Sequence, residues 1–321
     1  GSSVACAAAM GRIAVPEMMR HRYAPSLATG TVAAAGTIGA LIPPSLLMIL
    51  YGIIAQVPIS SLFLGGVGAG LLTLVGYIVV IVVRAKMVPE LAPPIHEHVG
   101  WSERLWALRE TWPVLLLMAG VFGGLFSGAF TPTEAGAVGA SLALVIAALK
   151  RALTWQSFKN ALVETLLTSA ALFIIAIGAS LLTRFLAFSG AGDYLSDMVV
   201  GIGADPILLL IGISLVYLVL GMFLEPLGAM LLTLPILLPI IDATGFSLIW
   251  FGVVLTKFLE IGMITPPIGL NVFVIKGVVG ELATTSLIFR GIMWFLVADL
   301  FVVAALIIFP DIILYLPGLL Q

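Results

Sequence analysis

Charge, histidine and cysteine are all scarce in this 321-residue chain, and each shortage removes a class of function. One cysteine, Cys6, cannot build a disulfide framework; in its run of alanines it reads as a small packing residue. The three histidines, His21, His96 and His98, fall in segments that read as loops. Ser127-Gly128 and Ser189-Gly190 therefore have no base that would make an intramembrane hydrolase of them, and His96-Glu97-His98 is too isolated for a metal centre. No phosphate-binding Gly-rich loop with its Lys is present, so no ATP hydrolysis is expected, nor any enzyme activity or organic cofactor. Charged residues make up 9%, against about 25% in soluble domains, while 61% are hydrophobic. That balance describes an all-α polytopic membrane protein in a lipid bilayer. Its net charge of −2 says nothing about partners, and no nucleic-acid partner is expected.

Glycine and proline, by contrast, are plentiful, and they stand where membrane helices should exclude them. Gly39-Ala40-Leu41-Ile42-Pro43-Pro44 and Gly262-Met263-Ile264-Thr265-Pro266-Pro267 are one Gly-x-x-x-Pro-Pro element written twice within apolar stretches. A proline removes a helix hydrogen bond and clashes with the preceding turn, so each pair should break its span and free backbone carbonyls and amides. Lipid cannot satisfy such groups. They are tolerated where they line a cavity, and a broken pair in two related halves points to a substrate and ion site near the bilayer midplane. A constant offset of 223 pairs Pro16 with Pro239, Gly39 with Gly262, and Pro43-Pro44 with Pro266-Pro267, without a gap. The chain is therefore read as an internal repeat.

Intact spans are expected at roughly 61–83, 112–130, 132–149 and 162–187, an apolar arm at 205–224 and a return arm at 226–241, a broken span at 247–278 and a last span at 289–309. Counting loops between them puts Arg12, Arg20, Arg22, Arg84, Lys86, Arg104, Arg109, Lys150, Arg151, Lys159, Lys276 and Arg290 on one side, the cytoplasmic side by the positive-inside rule. Only Arg184 and Lys257 are left over. The turn after the first arm, Glu17–Arg22, is cationic, and its counterpart Ile241-Asp242-Ala243-Thr244 holds no Lys or Arg. The two repeats thus enter from opposite faces, an inverted topology of re-entrant hairpins meeting broken helices. The polar connection 85–111, with an amphipathic stretch from Trp101 to Trp112, is expected along the cytoplasmic interface.

Several residues carry candidate chemistry. Ser2 and Ser3 would stand at the first hairpin tip, where hydroxyls and unwound carbonyls can ligate Na+ and a helix start can face an anion. The matching tip is Gly221–Pro226, where Glu225 aligns with Ser2. A carboxylate there is costly and so a functional candidate, or else a cap for the arm beginning at Pro226. Thr37 and Gly39 precede one break, Gly262 and Thr265 the other, and offer carbonyls and hydroxyls to a cation. Ser3, Pro43, Pro44, Ser45, Glu225, Pro266, Pro267 and Asn271 are the candidates for touching a substrate, Ser45 and Asn271 foremost. Lys257 and Glu260, three apart on one helical face, are expected to form a structural pair, with a proton or substrate-coupling role as the alternative. Asp299 lies mid-way along the last span, and Thr131 to Glu134 has capping-box spacing. A passive pore would need a polar stripe along several intact spans, which 61–83 and 162–187 lack.

Together these residues resemble the large membrane subunit of tripartite ATP-independent periplasmic transporters, the DctM-like family. The resemblance rests on Gly1–Ala5 with Ala9-Met10-Gly11, Gly36–Ser45, Gly221-Met222-Phe223, Pro235-Ile236, Gly262 through Gly269, and Thr131–Gly136, and it covers the whole chain. It implies an elevator-type secondary transporter of the bacterial inner membrane, driven by Na+, fed by a periplasmic binding protein, and working beside a small four-helix membrane subunit. Substrates in the family are mostly small organic acids, including dicarboxylates and sialic acid. By the same resemblance, Na+ would sit between the first tip and the Thr37 to Pro43 break, and between Gly221 and the Gly262 to Thr265 break. The transport domain would comprise 1–57 and 201–280, the scaffold and connecting spans 58–200, and a C-terminal span 281–321. Roughly the first quarter of a typical member is missing, so the chain, which opens on Gly1-Ser2-Ser3 without Met, is read as a fragment. At the second tip Glu225-Pro226 stands where an Asp is common.

Overall fold

In the computed structural model of the protein, residues 1–93, 100–190, 194, 197 and 206–319 are described. Among these residues the secondary structure is helical throughout, without a strand. His96-Glu97-His98 lies outside them. The first repeat supplies α1 (Ser3–Arg20), α2 (Pro25–Leu41), α3 (Leu46–Ala55) and α4 (Ile59–Met87). There follow α5 (Trp101–Glu110), α6 (Trp112–Phe126), α7 (Pro132–Leu149) and α8 (Trp155–Ser189). The second repeat is carried by α9 (Pro206–Phe223), α10 (Pro226–Ala243), α11 (Leu248–Gly262), α12 (Leu270–Val279) and α13 (Thr285–Ile308), with a short α14 (Asp311–Gly318) at the end. Six of the described stretches are long and apolar enough to cross a membrane.

The helix boundaries follow from local chemistry. Ser2, Ser45, Glu225, Ser247 and Thr284 each cap the helix that follows by accepting a backbone N–H, which satisfies one of the donors a helix start leaves free. Thr131 and Glu134 form the expected capping box, with Thr131 N donating to Glu134 Oε2 at 2.8 Å and Glu134 N to Thr131 Oγ1 at 3.3 Å. The span expected at 112–130 is shorter than its apolar run. It ends at Phe126 because Gly128 turns the chain with φ +73° ahead of Thr131-Pro132.

The repeat is carried into three dimensions. α1 and α10 have boundaries separated by the offset of 223, as do the starts of α2 and α11, and both breaks contain a cis Pro-Pro bond. Packing is reciprocal: α1 lies on α12 and α10 on α3, while α2 lies on α13 and α11 on α4. α11 is buried at every position from Trp250 to Gly262, the mark of a central helix. α2 is lined with small residues, which let backbones approach closely. A Cβ on Gly30 would lie 2.6 Å from the Gly291 carbonyl carbon.

The chain divides into two compact units, one of Gly1–Pro94 with Gly178–Gln321 and one of Ile95–Ile177. In the smaller unit α6 packs on α7, and the Phe122 and Phe126 rings stack with centroids 5.8 Å apart. Leu166, Leu167, Phe173 and Ile174 on α8 are exposed, as side chains facing lipid are. In the larger unit Gly66 and Gly70 seat α4 against the first break, where Cβ atoms would come within 2.5 Å of Leu41 O and 2.6 Å of Ile42 Cγ1.

Candidate functional site

The first break leaves α2 at Leu41 and resumes at Leu46; the second leaves α11 at Gly262 and resumes at Leu270. Both hairpin tips come to these breaks. Leu46 N donates to Gly1 O at 3.5 Å, and a Cβ on Gly1 would meet Pro44 O at 2.5 Å, so the first tip lies on the first Pro-Pro. Cys6 packs against Gly39, whose Cβ would sit 3.0 Å from Cys6 Cβ. At the second tip the contact is backbone on backbone: a Cβ on Gly262 would lie 2.5 Å from both Cα and C of Gly221. Only a glycine at each position permits this approach.

Between the tips lies a cleft of about 50 Å³ lined by Ser2, Ser3, Leu46, Glu225, Glu260 and Met263 among others, so both repeats contribute to it. The Ser3 hydroxyl, 2% exposed, donates to Glu260 Oε2, and Glu260 is itself 1% exposed. Glu225 caps α10 by accepting from Gly228 N at 3.1 Å and still borders the cleft, so both expected roles coexist in one side chain. Glu260 was not among the expected site residues, although the repeat register could have found it. The offset of 223 places it on Thr37, just as it places Glu225 on Ser2. The second repeat thus carries carboxylates where the first carries hydroxyls.

Other expected residues are placed differently. Thr37 Oγ1 donates to Ala34 O at 2.7 Å and lies 3.3 Å from Tyr77 Oη, and Thr265 Oγ1 donates to Ile261 O at 2.7 Å, so each hydroxyl is already engaged. Ser45 is fully buried as the cap of α3, and Asn271 is fully buried as well; neither lines the cleft. Pro43 is buried and Pro266 half-buried, while Pro44 and Pro267 are exposed. Asn271 crosses from the second repeat to the first, its Nδ2 donating to Ala33 O at 3.3 Å. Its Oδ1 is buried without a hydrogen-bond partner among the described residues. A Cβ on Gly36 would meet both Asn271 Nδ2 and Ser3 O at 3.2 Å, so Asn271 borders the backbone of the first tip.

The expected Lys257–Glu260 pair is not formed. Lys257 Nζ instead donates to Asp299 Oδ1 at 2.6 Å, with both side chains within 1% of full burial, and Tyr77 Oη donates to Asp299 Oδ2 at 2.9 Å. Asp299 thus takes both the Lys257 ammonium and the Tyr77 hydroxyl, while Glu260 takes the Ser3 hydroxyl. The resulting chain of Lys257, Asp299, Tyr77 and Thr37 ties α11, α13, α4 and α2 together behind the breaks.

A helical membrane protein with two broken-helix repeats, whose tips and breaks enclose a small polar cleft, belongs to the secondary-transporter class of architectures. Residues 1–312 match the family model described as the tripartite ATP-independent periplasmic transporter, DctM component. The chain belongs to this family. It is 34% identical to the C4-dicarboxylate TRAP transporter large permease protein DctM of Vibrio cholerae, over 100% of this chain and 74% of that protein. It is also 34% identical to the sialic acid TRAP transporter large permease protein SiaM of the same organism, over 99% and 74%. The isethionate TRAP transporter permease protein DctMQ of Oleidesulfovibrio alaskensis is 34% identical over 87% of this chain and 44% of its own length. The chain is thus a large permease subunit of a TRAP transporter and a multi-pass membrane protein.

Proposed function

We propose that this subunit carries out Na+-coupled uptake of a small organic acid anion across the bacterial inner membrane. A periplasmic binding protein delivers the anion, and a small membrane subunit works beside the large one. The observation that carries this reading is the convergence of Ser3, Glu225 and Glu260 on one cleft built by both repeats. When ionised, the Glu225 and Glu260 carboxyl groups beside a cleft of this size repel an incoming carboxylate strongly, because charge interactions grow as water is excluded. A cation must neutralise the site first. Coupling follows from that order: without Na+ the anion is rejected, and with it the tips close over both. The relatives named for C4-dicarboxylates and sialic acid support an organic acid as the substrate class.

The backbone of Gly221 and the Gly262 to Thr265 break supply one candidate ion position, and Ser2, Ser3, Thr37 and Gly39 the other. The unpartnered Oδ1 of Asn271 supports a role for that residue as an ion ligand, beside its expected contact with substrate. The transport body moves as an elevator against a scaffold. The buried Lys257–Asp299 pair and the Gly30–Gly291 contact support counting α13 with the moving body, since sliding there would separate a charge pair without water.

Uptake of radiolabelled organic acids by proteoliposomes holding the full-length subunit, its small partner and the binding protein tests this reading. Accumulation is expected only with both an inward Na+ gradient and the binding protein, and uptake indifferent to both overturns it in favour of a passive pore. Ser3→Ala removes a hydroxyl from the cleft and leaves Glu260 buried without that partner. The Na+ concentration for half-maximal uptake should then rise by roughly tenfold, as expected for a lost charge-assisted hydrogen bond. An unchanged Na+ curve would remove Ser3 from the ion site.

A further inference from the structure

One flank of the larger unit is apolar along its length and cationic at one end. α4 and α13 run antiparallel there, with Gly76 beside Val302 and Arg84 beside Trp294. A groove of about 410 Å³ opens between them, walled by Val75, Val79, Val297 and Phe301 and closed at one end by Arg84 and Trp294. No carboxylate lines it among the described residues. From Leu72 to Arg84 the groove follows α4 for about 18 Å at 1.5 Å per residue, close to half of a roughly 30 Å hydrocarbon core. Its length is that of one leaflet.

Arg84 is unusual among the cations of the chain. Its guanidinium carbon stands 5.6 Å from the centroid of the Trp294 ring, and its Nη1 is buried without a hydrogen-bond partner among the described residues. With one face of the guanidinium on an indole, its N–H edge remains for an acceptor, and the acceptor that suits that fork is a phosphate or carboxylate. Neighbouring Lys86 and Arg290 add positive charge at the same end, which the charge distribution assigns to the cytoplasmic side.

We propose that this groove is a binding site for an anionic phospholipid of the cytoplasmic leaflet, one acyl chain lying between α4 and α13 and the phosphate on Arg84. Charge complementarity selects the headgroup, because a zwitterionic lipid brings its own cation to a site that already holds one. The groove length selects a single leaflet's chain. Basic pockets between membrane helices on the cytoplasmic side are where anionic headgroups bind. A lipid held here would fill the seam between the two helices that pack behind the breaks. The site is separate from the transport cleft and does not depend on the substrate or coupling ion.

Native mass spectrometry of the assembled transporter, released from nanodiscs of phosphatidylglycerol mixed equally with phosphatidylcholine, tests the site. The expected result is retention of phosphatidylglycerol over phosphatidylcholine, with Arg84→Gln lowering that retention roughly tenfold. Val75→Trp places bulk in the groove from a position that is 56% exposed, so the fold is kept while retention of the lipid falls. Equal retention of the two lipids, no lipid retained, or a phosphatidylglycerol signal unmoved by either substitution would each overturn the proposal.

Discussion

Gly262→Ala lowers the apparent affinity for Na+ by roughly tenfold, and Gly262→Val abolishes Na+-dependent uptake, because overpacking of one to a few kcal/mol acts directly on the second ion position. A Cβ at Gly262 would lie 2.5 Å from the Cα and carbonyl carbon of Gly221, with the Gly221 oxygen at 3.0 Å. The obstacle is backbone, so no rotamer change relieves it. The tip must move, and the carbonyls expected to ligate the ion move with it. From sequence alone the valine substitution would be expected to weaken Na+ dependence and spare the fold. The contact shows that the tip itself is displaced, which makes the effect larger and local. Gly212→Ala is the matched control, since a Cβ there meets nothing within 4 Å. Initial uptake rates against Na+ concentration measure both. A Gly262→Ala curve that overlies the wild type would detach this contact from ion binding.

Lys257→Met should destabilise the protein by about 3–5 kcal/mol, the cost of leaving one member of a buried ion pair alone. Asp299 would then be a buried carboxylate with only the Tyr77 hydroxyl, donating at 2.9 Å, to stabilise it. Replacing both partners together, Lys257→Met with Asp299→Leu, should recover most of the loss, because an apolar pair in the same volume leaves no charge to solvate. Thermal unfolding in detergent, followed by tryptophan fluorescence, reads the difference. Single variants as stable as the wild type would mean that the pair is open to water, contrary to its burial. The double variant has a second use: if it is stable yet transports poorly, the pair serves the transport cycle as well as the fold.

How much of this was legible in the sequence depended on whether the signal was local. Paired prolines at a fixed offset disclosed the repeat, because proline breaks a helix whatever surrounds it. The capping box at Thr131 and Glu134 and the arms at α9 and α10 followed from the same kind of rule. Lys257 failed it. Its neighbour Glu260 is three residues away on the same helix, yet its partner Asp299 comes from another span, and which carboxylate a buried lysine takes is decided by tertiary packing. Glu260 was paired with Lys257 and left out of the ion and substrate sites for the same reason, although the register with Thr37 pointed to the cleft. Ser45 and Asn271 were placed at the correct breaks, but burial of a side chain cannot be read from its distance to a proline.

The most direct test of Na+ binding between the tips and the breaks is thermal unfolding of the purified full-length subunit titrated with NaCl against KCl at constant ionic strength. A ligand that binds only the folded state raises stability with its concentration, by about 2.7 kcal/mol at a hundred times its dissociation constant. The expected result is a rise of the unfolding midpoint with Na+ and none with K+, a rise that is reduced in Ser3→Ala and in Gly262→Ala. Superimposable Na+ and K+ titrations, or a Na+ response equal in both variants to that of the wild type, would contradict it.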